Sequence, residues 1–79
     1  MDNSEIIKRV KNVVGQVLKI NPVDIGDQAN FIFDLGANSM QSLLLVGAFE
    51  EAFDIEMDED KALEVQDIAS AVTFISGYL

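Results

Sequence analysis

The chain has 79 residues, close to the lower size limit for a domain with one hydrophobic core, and a formal net charge of −9. It contains no cysteine and no histidine, which excludes disulfide bonds and thiolate metal sites and removes the commonest catalytic base. Residues 1–79 are therefore expected to form a single domain with no catalytic residues and no metal ligands of its own. With no signal-peptide pattern and no run of membrane-spanning length, we expect a cytoplasmic location without membrane contact.

The charge is divided unevenly along the chain. Residues 1–19 hold four bases and two acids, which gives +2, whereas residues 20–79 hold twelve acids and one base, which gives −11. We do not expect nucleic acid as a partner, because a phosphate backbone requires a basic face. A basic protein partner is favoured, since opposite fields steer an encounter. The alternative is that the acids only keep a small domain soluble.

The first predicted element is an amphipathic helix over residues 4–18. Asp2 and Glu5 have capping-box spacing, Asn3 and Ser4 are alternative caps, and a proline at position 22 ends the helix. The apolar residues follow the spacing of one buried helical face: Ile6, Ile7, Val10, Val13, Val14, Val17 and Leu18.

Residues 20–38 form a long connection. An unstructured loop of this length is unusual in a compact domain, so we expect apolar side chains to pin it to the core. The candidates for this role are Val23, Ile25, Phe31, Phe33 and Leu35. Residues 31–33 have strand-forming composition, but no partner strand is evident elsewhere in the sequence. A pinned loop is therefore predicted.

A second helix is predicted over residues 39–53, and it is unusually apolar. No charged residue lies between Leu35 and Phe49. Because one helix face cannot contain every apolar position, some of Met40, Leu44 and Gly47 should be exposed as a docking surface. The alternative is a core helix with a slight apolar excess.

The remaining segment, residues 54–79, begins with a strongly acidic stretch. Its aspartates lack the glycine and the spacing of a calcium-binding loop, so a calcium module is the weakest of the interpretations. Ala62, Leu63 and Val65 predict one short helical turn that lies on the core. A last helix should begin after an Asp67 cap and bury Ile68, Val72, Ile75 and the C-terminal Leu79. The predicted fold is all-α: three main helices, one short helix and a long first loop.

Ser39 occupies an unusual position at the start of the second helix. Gly36 gives the backbone freedom just before it, and either Asn38 or Ser39 can cap the helix. The free N–H groups and the positive dipole end favour an anionic group at the Ser39 hydroxyl. The plain alternative is that Ser39 is only a capping serine.

Over essentially its whole length the sequence resembles the acyl carrier protein family. The resemblance is carried first by residues 31–40, FIFDLGANSM. At the same position the family has a segment that begins with phenylalanine and continues with aspartate-leucine-glycine, followed by an aspartate-serine-leucine triplet. Residues 49–56, FEEAFDIE, resemble the end of the family's second helix. Helix lengths, the long first loop and the acidic third segment agree as well.

The resemblance implies that Ser39 is the attachment site for 4′-phosphopantetheine, which a phosphopantetheinyl transferase would transfer from coenzyme A. Acyl groups would then be held as thioesters on the terminal thiol and delivered by a non-enzymatic monomer to acyl-loading and acyl-processing enzymes. The flanking motif carried over from the family is Asp34, Gly36, Asn38 and Met40. The implied partner-binding residues are Met40, Gln41, Leu44, Gly47, Glu50 and Glu51.

The sequence departs from the family pattern around the serine. Asn38 replaces the aspartate, Met40 replaces the leucine, and Gln41 and Leu44 replace acidic residues common early in helix two. These changes predict docking through a more apolar face, with weak salt dependence. They suit a specialised acyl, polyketide or aminoacyl pathway as well as fatty-acid synthesis. A small acidic adaptor that is never modified remains the alternative from a different class.

Overall fold

The computed structural model describes all 79 residues and contains four α-helices joined by loops. They are α1 (Asn3–Leu18), α2 (Ser39–Phe53), α3 (Glu59–Leu63) and α4 (Ile68–Ser76), with a 3-10 turn at Pro22–Asp24. The all-α prediction of three main helices and one short helix is confirmed. None of the helices combines the length and the apolar character needed to cross a bilayer.

The helices begin where short polar side chains can accept the unpaired N–H groups of the first turn. Asp2 accepts from the Glu5 N–H at 2.9 Å and begins α1, and Asp67 accepts from the Ser70 N–H at 2.7 Å and begins α4. Both caps agree with the sequence prediction, because capping depends on neighbours three residues apart. α1 ends at Leu18, and the next residue, Lys19, has φ of 59°, in the left-handed region.

The core consists of sixteen buried apolar residues drawn from all four helices and the connecting loops. α1 packs against both α2 and α4. The predicted faces of α1 and α4 are confirmed, with Ile7, Val17 and Leu18 only half-buried. In α3 the prediction holds for Ala62 but is wrong for Leu63, since a helix of five residues turns few positions toward the core. The prediction that Leu79 is buried with the α4 face is wrong, because Leu79 lies beyond the end of α4 and is exposed.

The long loop is pinned to the core by fewer side chains than predicted. Ile25 and Phe31 are buried and Leu35 is half-buried, but Val23 is 88% exposed and Phe33 is 86% exposed. The prediction that these last two pin the loop is wrong. In the 3-10 turn it is Pro22 that lies against α1, and Phe33 sits in a tight turn that directs it away from the core.

Two backbone hydrogen bonds tie the loop to the segment before α4. The Phe31 N–H donates to the Gln66 carbonyl at 2.9 Å, and the Ile68 N–H donates to the Ala29 carbonyl at 3.0 Å. The residues between them, Asn30 and Asp67, form an isolated antiparallel bridge. The bridge lies at Asn30, one residue before the segment 31–33, which forms no strand, as predicted. A bridge this short leaves no alternation of apolar residues in the sequence.

The segment before α3 is held by two side-chain acceptors. The Met57 N–H donates to Glu50 Oε2 at 2.8 Å, and the Asp58 N–H donates to the Tyr78 hydroxyl oxygen at 3.0 Å. No three potential metal-binding side chains come together, in the acidic stretch or elsewhere.

Two glycines should respond to alanine substitution with opposite signs. A Cβ at Gly15 would lie 2.6 Å from the backbone carbonyl oxygen of Ile20, whereas a Cβ at Gly47 would meet nothing within 4 Å. We expect Gly15→Ala to lower the free energy of unfolding by about 1–3 kcal/mol. Gly47→Ala should raise it by about 0.5–1 kcal/mol, because alanine loses less entropy in a helix. Urea unfolding measures both, and equal effects at the two positions would contradict the packing at Gly15.

Candidate functional site

The turn that leads into α2 is organised by Asn30. Its side-chain oxygen accepts the N–H groups of Ile32 and Phe33, both at 2.9 Å. Its backbone carbonyl accepts the N–H groups of Asp34 and Leu35, both at 3.0 Å. The sequence pattern does not single out Asn30, although asparagine readily bonds the backbone two or three residues further on.

Asp34 and Gly36, two residues of the predicted flanking motif, act on the backbone of this turn. Asp34 Oδ2 accepts the Asn30 N–H at 2.7 Å, so the carboxylate closes the turn that Asn30 opens. Gly36 has φ of 74°, a conformation that side-chain-bearing residues rarely adopt. Ala37 follows, buried, with its N–H donating to the Phe31 carbonyl at 2.8 Å. Together these contacts fix the direction in which the chain enters α2.

Asn38 is the N-cap of α2, which decides between the two predicted caps. Asn38 Oδ1 accepts the Gln41 N–H at 2.8 Å, and Gln41 Oε1 accepts the Asn38 N–H at 3.0 Å. This reciprocal pair is a capping box and satisfies two amide donors at the start of the helix. The side chain of Gln41, which was predicted to bind partners, is thus used in the capping box and is half-buried.

Ser39 is the first residue of α2 and is exposed. The capping box does not use its hydroxyl, and the amides of Ser39 and Met40 have no acceptor in the chain. Unpaired amides at a helix N-terminus, together with the positive end of the helix dipole, favour an anionic group. The site can therefore present a reachable hydroxyl beside donors that would stabilise a bound phosphate.

The side of α2 that faces away from the core is apolar and exposed. Met40 is 71% exposed, Leu44 is 57% exposed and Leu43 is 48% exposed, and Gly47 is exposed between them and the end of the helix. The predicted exposure of Met40, Leu44 and Gly47 is confirmed; the sequence did not single out Leu43. The buried positions of this helix are Leu45, Phe49 and Phe53.

The two acids near the end of α2 differ in their surroundings. Glu50 is half-buried and accepts the Met57 N–H through Oε2, as described above. Glu51 is exposed and makes no hydrogen bond or ion pair. Of the two predicted partner-binding acids, Glu51 alone has a carboxylate with no contact in the fold.

Behind α2 lies a small apolar cavity of about 30 Å³. It is lined by residues of α2, α3, α4 and the loops between them, among them Val46, Phe49, Met57, Ala62 and Phe74. This volume has room for about one water molecule. A longer apolar group could enter only if the helices around the cavity moved apart.

Comparison with known proteins identifies a family model and several relatives that match most of the chain. Residues 8–75 match the family model described as a phosphopantetheine attachment site. The chain is 44% identical over 73 residues to an acyl carrier protein of Caulobacter vibrioides, which covers 92% of this chain and 94% of that protein. It is 43% identical over 72 residues to one of Phenylobacterium zucineum, covering 91% of each. It is 38% identical over 76 residues to one of Guillardia theta, covering 96% and 94%.

Proposed function

Since the chain belongs to the acyl carrier protein family and so has a covalent 4′-phosphopantetheine group, we propose that Ser39 is the residue that bears it. The exposed hydroxyl of Ser39 at the first position of α2, beside two unpaired amides, is the observation that carries this proposal. Two of the other serines already use their hydroxyls within the fold. The hydroxyls of Ser42 and Ser76 donate to backbone carbonyls at 3.1 and 2.7 Å.

The residues around Ser39 fit an attached phosphodiester. The amides of Ser39 and Met40 can donate to its oxygens, and the helix dipole stabilises its negative charge. Asn38 caps the helix without adding a second negative charge beside it. When bound, the group supplies a terminal thiol on which acyl groups are held as thioesters, chemistry that a chain without cysteine cannot provide itself.

The proposed role is delivery of acyl intermediates within fatty-acid, polyketide or related specialised biosynthesis in the cytoplasm. A phosphopantetheinyl transferase would load the chain, and acyl-loading and acyl-processing enzymes would act on what it carries, while the chain itself remains a monomer without catalysis. Tethering raises the local concentration of the substrate at each partner. The uncharged surroundings of Ser39 support a specialised pathway, because Gln41 and Leu44 stand where acids are common in the family.

The absence of cysteine gives a direct experiment for this role. A thiol reagent should detect no thiol in the purified apo chain and one thiol per chain after incubation with coenzyme A and a broad-specificity transferase, followed by removal of the unreacted coenzyme A. Supplying an acylated coenzyme A instead should give a chain that gains mass but shows no free thiol until hydroxylamine cleaves the thioester. A thiol count that stays at zero after incubation with coenzyme A would overturn the proposal.

A further inference from the structure

Asn30 holds four consecutive amides of the segment that leads into α2. Its side-chain oxygen accepts the N–H groups of Ile32 and Phe33, as described above. Its backbone carbonyl accepts those of Asp34 and Leu35. The two side-chain bonds lie among exposed residues, so water can replace the Asn30 oxygen as their acceptor. What the side chain supplies is therefore a fixed shape for the turn.

The backbone of Asn30 is joined to the core through the start of α4. Asn30 pairs with Asp67 in the isolated bridge, and Asp67 is the cap of α4. The backbone hydrogen bonds that flank this bridge are made by the N–H groups of Phe31 and Ile68, and both residues are buried. Asn30 therefore joins a buried, hydrogen-bonded part of the fold to the exposed turn that precedes Ser39.

The turn sets the orientation of Ser39 through a short stretch of chain. The Ala37 N–H donates to the Phe31 carbonyl at 2.8 Å, which closes the segment that the Asn30 side chain shapes. Ala37 is buried, and the cap of α2 and then Ser39 follow it directly. A change of shape at residues 32–35 would therefore move the Ser39 hydroxyl relative to the rest of the surface that an enzyme contacts.

We propose that Asn30 is a positioning residue for the modification of Ser39. The inference rests on the proposed function and adds a residue that acts on the reaction without touching the hydroxyl. In the transfer, the Ser39 oxygen forms a bond to the phosphorus of coenzyme A that bears the pantetheine, and the phosphoanhydride bond breaks. Adenosine 3′,5′-bisphosphate leaves with the electron pair, and the serine proton goes to a base supplied by the transferase. A displacement of about 1 Å in a reacting atom can slow such a step about a hundredfold.

Asn30→Ala tests the positioning role by separating kcat from KM, with the chain as the varied substrate of a broad-specificity transferase and coenzyme A. We expect kcat to fall at least about tenfold while KM changes less than about threefold, because a misplaced hydroxyl weakens the transition state and not the bound surface. Partial unfolding alone would act in the opposite way, raising KM and leaving kcat unchanged, since only folded chains bind. Asn30→Asp keeps an acceptor oxygen and should restore kcat to within about threefold of the wild type.

Asn21→Ala is the matched control, because Asn21 lies in the same long loop and its side chain also accepts a backbone N–H, that of Val23 at 3.1 Å. Its kcat should equal that of the wild type within about twofold. The amide NMR signals of Ser39 and Met40 give a readout that does not depend on activity. They should shift in Asn30→Ala and remain unchanged in Asn21→Ala.

An unchanged kcat in Asn30→Ala, an equal loss in Asn21→Ala, or a loss that Asn30→Asp does not restore would overturn the inference. If circular dichroism shows that Asn30→Ala does not fold, Asp34→Ala takes its place, because it removes the acceptor of the Asn30 N–H from the same turn. Asp34→Asn is then the restoring variant, and the expected and contradicting results are the same. Failure of the proposed function is distinct, since the wild type would then gain no mass.

Discussion

Ser39→Ala should abolish modification completely while leaving the fold intact. The proposed attachment bond is formed by the Ser39 hydroxyl, and alanine removes that oxygen without touching the cap, which is made by Asn38 and Gln41. Intact-mass spectrometry after incubation with coenzyme A and the transferase should show the added group on every wild-type chain and on no mutant chain. The free energy of unfolding should change by less than about 0.5 kcal/mol, as is usual for an exposed side chain without contacts.

Ser70→Ala is the matched control for this substitution. Like Ser39, Ser70 is exposed and lies in the first turn of a helix, although its cap is Asp67 and not an asparagine. If helix N-termini in general attracted the transferase, the two alanine variants would lose modification to similar extents. Full modification of Ser70→Ala, with none of Ser39→Ala, is the expected result.

Ile68→Ala should have the largest effect on stability. The Ile68 side chain is fully buried, and its N–H bonds the Ala29 carbonyl beside the bridge that holds the long loop. Truncating a buried isoleucine to alanine lowers the free energy of unfolding by about 2–5 kcal/mol. In a domain of this size that corresponds to a fall in melting temperature of about 10 °C or more.

The control for Ile68→Ala is Val23→Ala, an apolar truncation at a side chain that is almost fully exposed. Its melting temperature should equal that of the wild type within experimental error. Circular dichroism melts of both variants measure the difference. If the two variants melt at the same temperature, the central place of Ile68 in the core is incorrect.

The helices were predictable because their determinants lie close together in the sequence. Asp2, Asn38 and Asp67 each cap a helix through a residue three positions later. The buried faces of α1 and α4 repeat at helical spacing. Such patterns can be recognised in the sequence without knowledge of the tertiary structure.

The long loop was less predictable because its contacts depend on tertiary structure. Val23 and Phe33 have the composition of core residues, but the turn at Asn30 and the packing of Pro22 direct the chain otherwise. The bridge between Asn30 and Asp67 joins residues 37 positions apart. The sequence around Asn30 and Asp67 does not distinguish this pair from other polar residues.

The part of the site that depends on local sequence was predictable, and the part that depends on tertiary contacts was not. Ser39 and its cap follow from the local pattern, and the exposure of Met40, Leu44 and Gly47 follows from an excess of apolar positions on α2. The contact of Glu50 with the Met57 N–H could not be predicted from the local pattern, because it requires the chain to turn back after α2. This contact changes the set of acids free to meet a partner.

The position of the added group shows directly whether Ser39 is the attachment site. After modification by the transferase, the wild-type protein is digested and its peptides are fragmented in a tandem mass spectrometer. Fragment ions should place the added mass on Ser39 alone. Added mass on Ser42 or Ser70, or on no serine at all, would contradict the assignment of Ser39 as the attachment site.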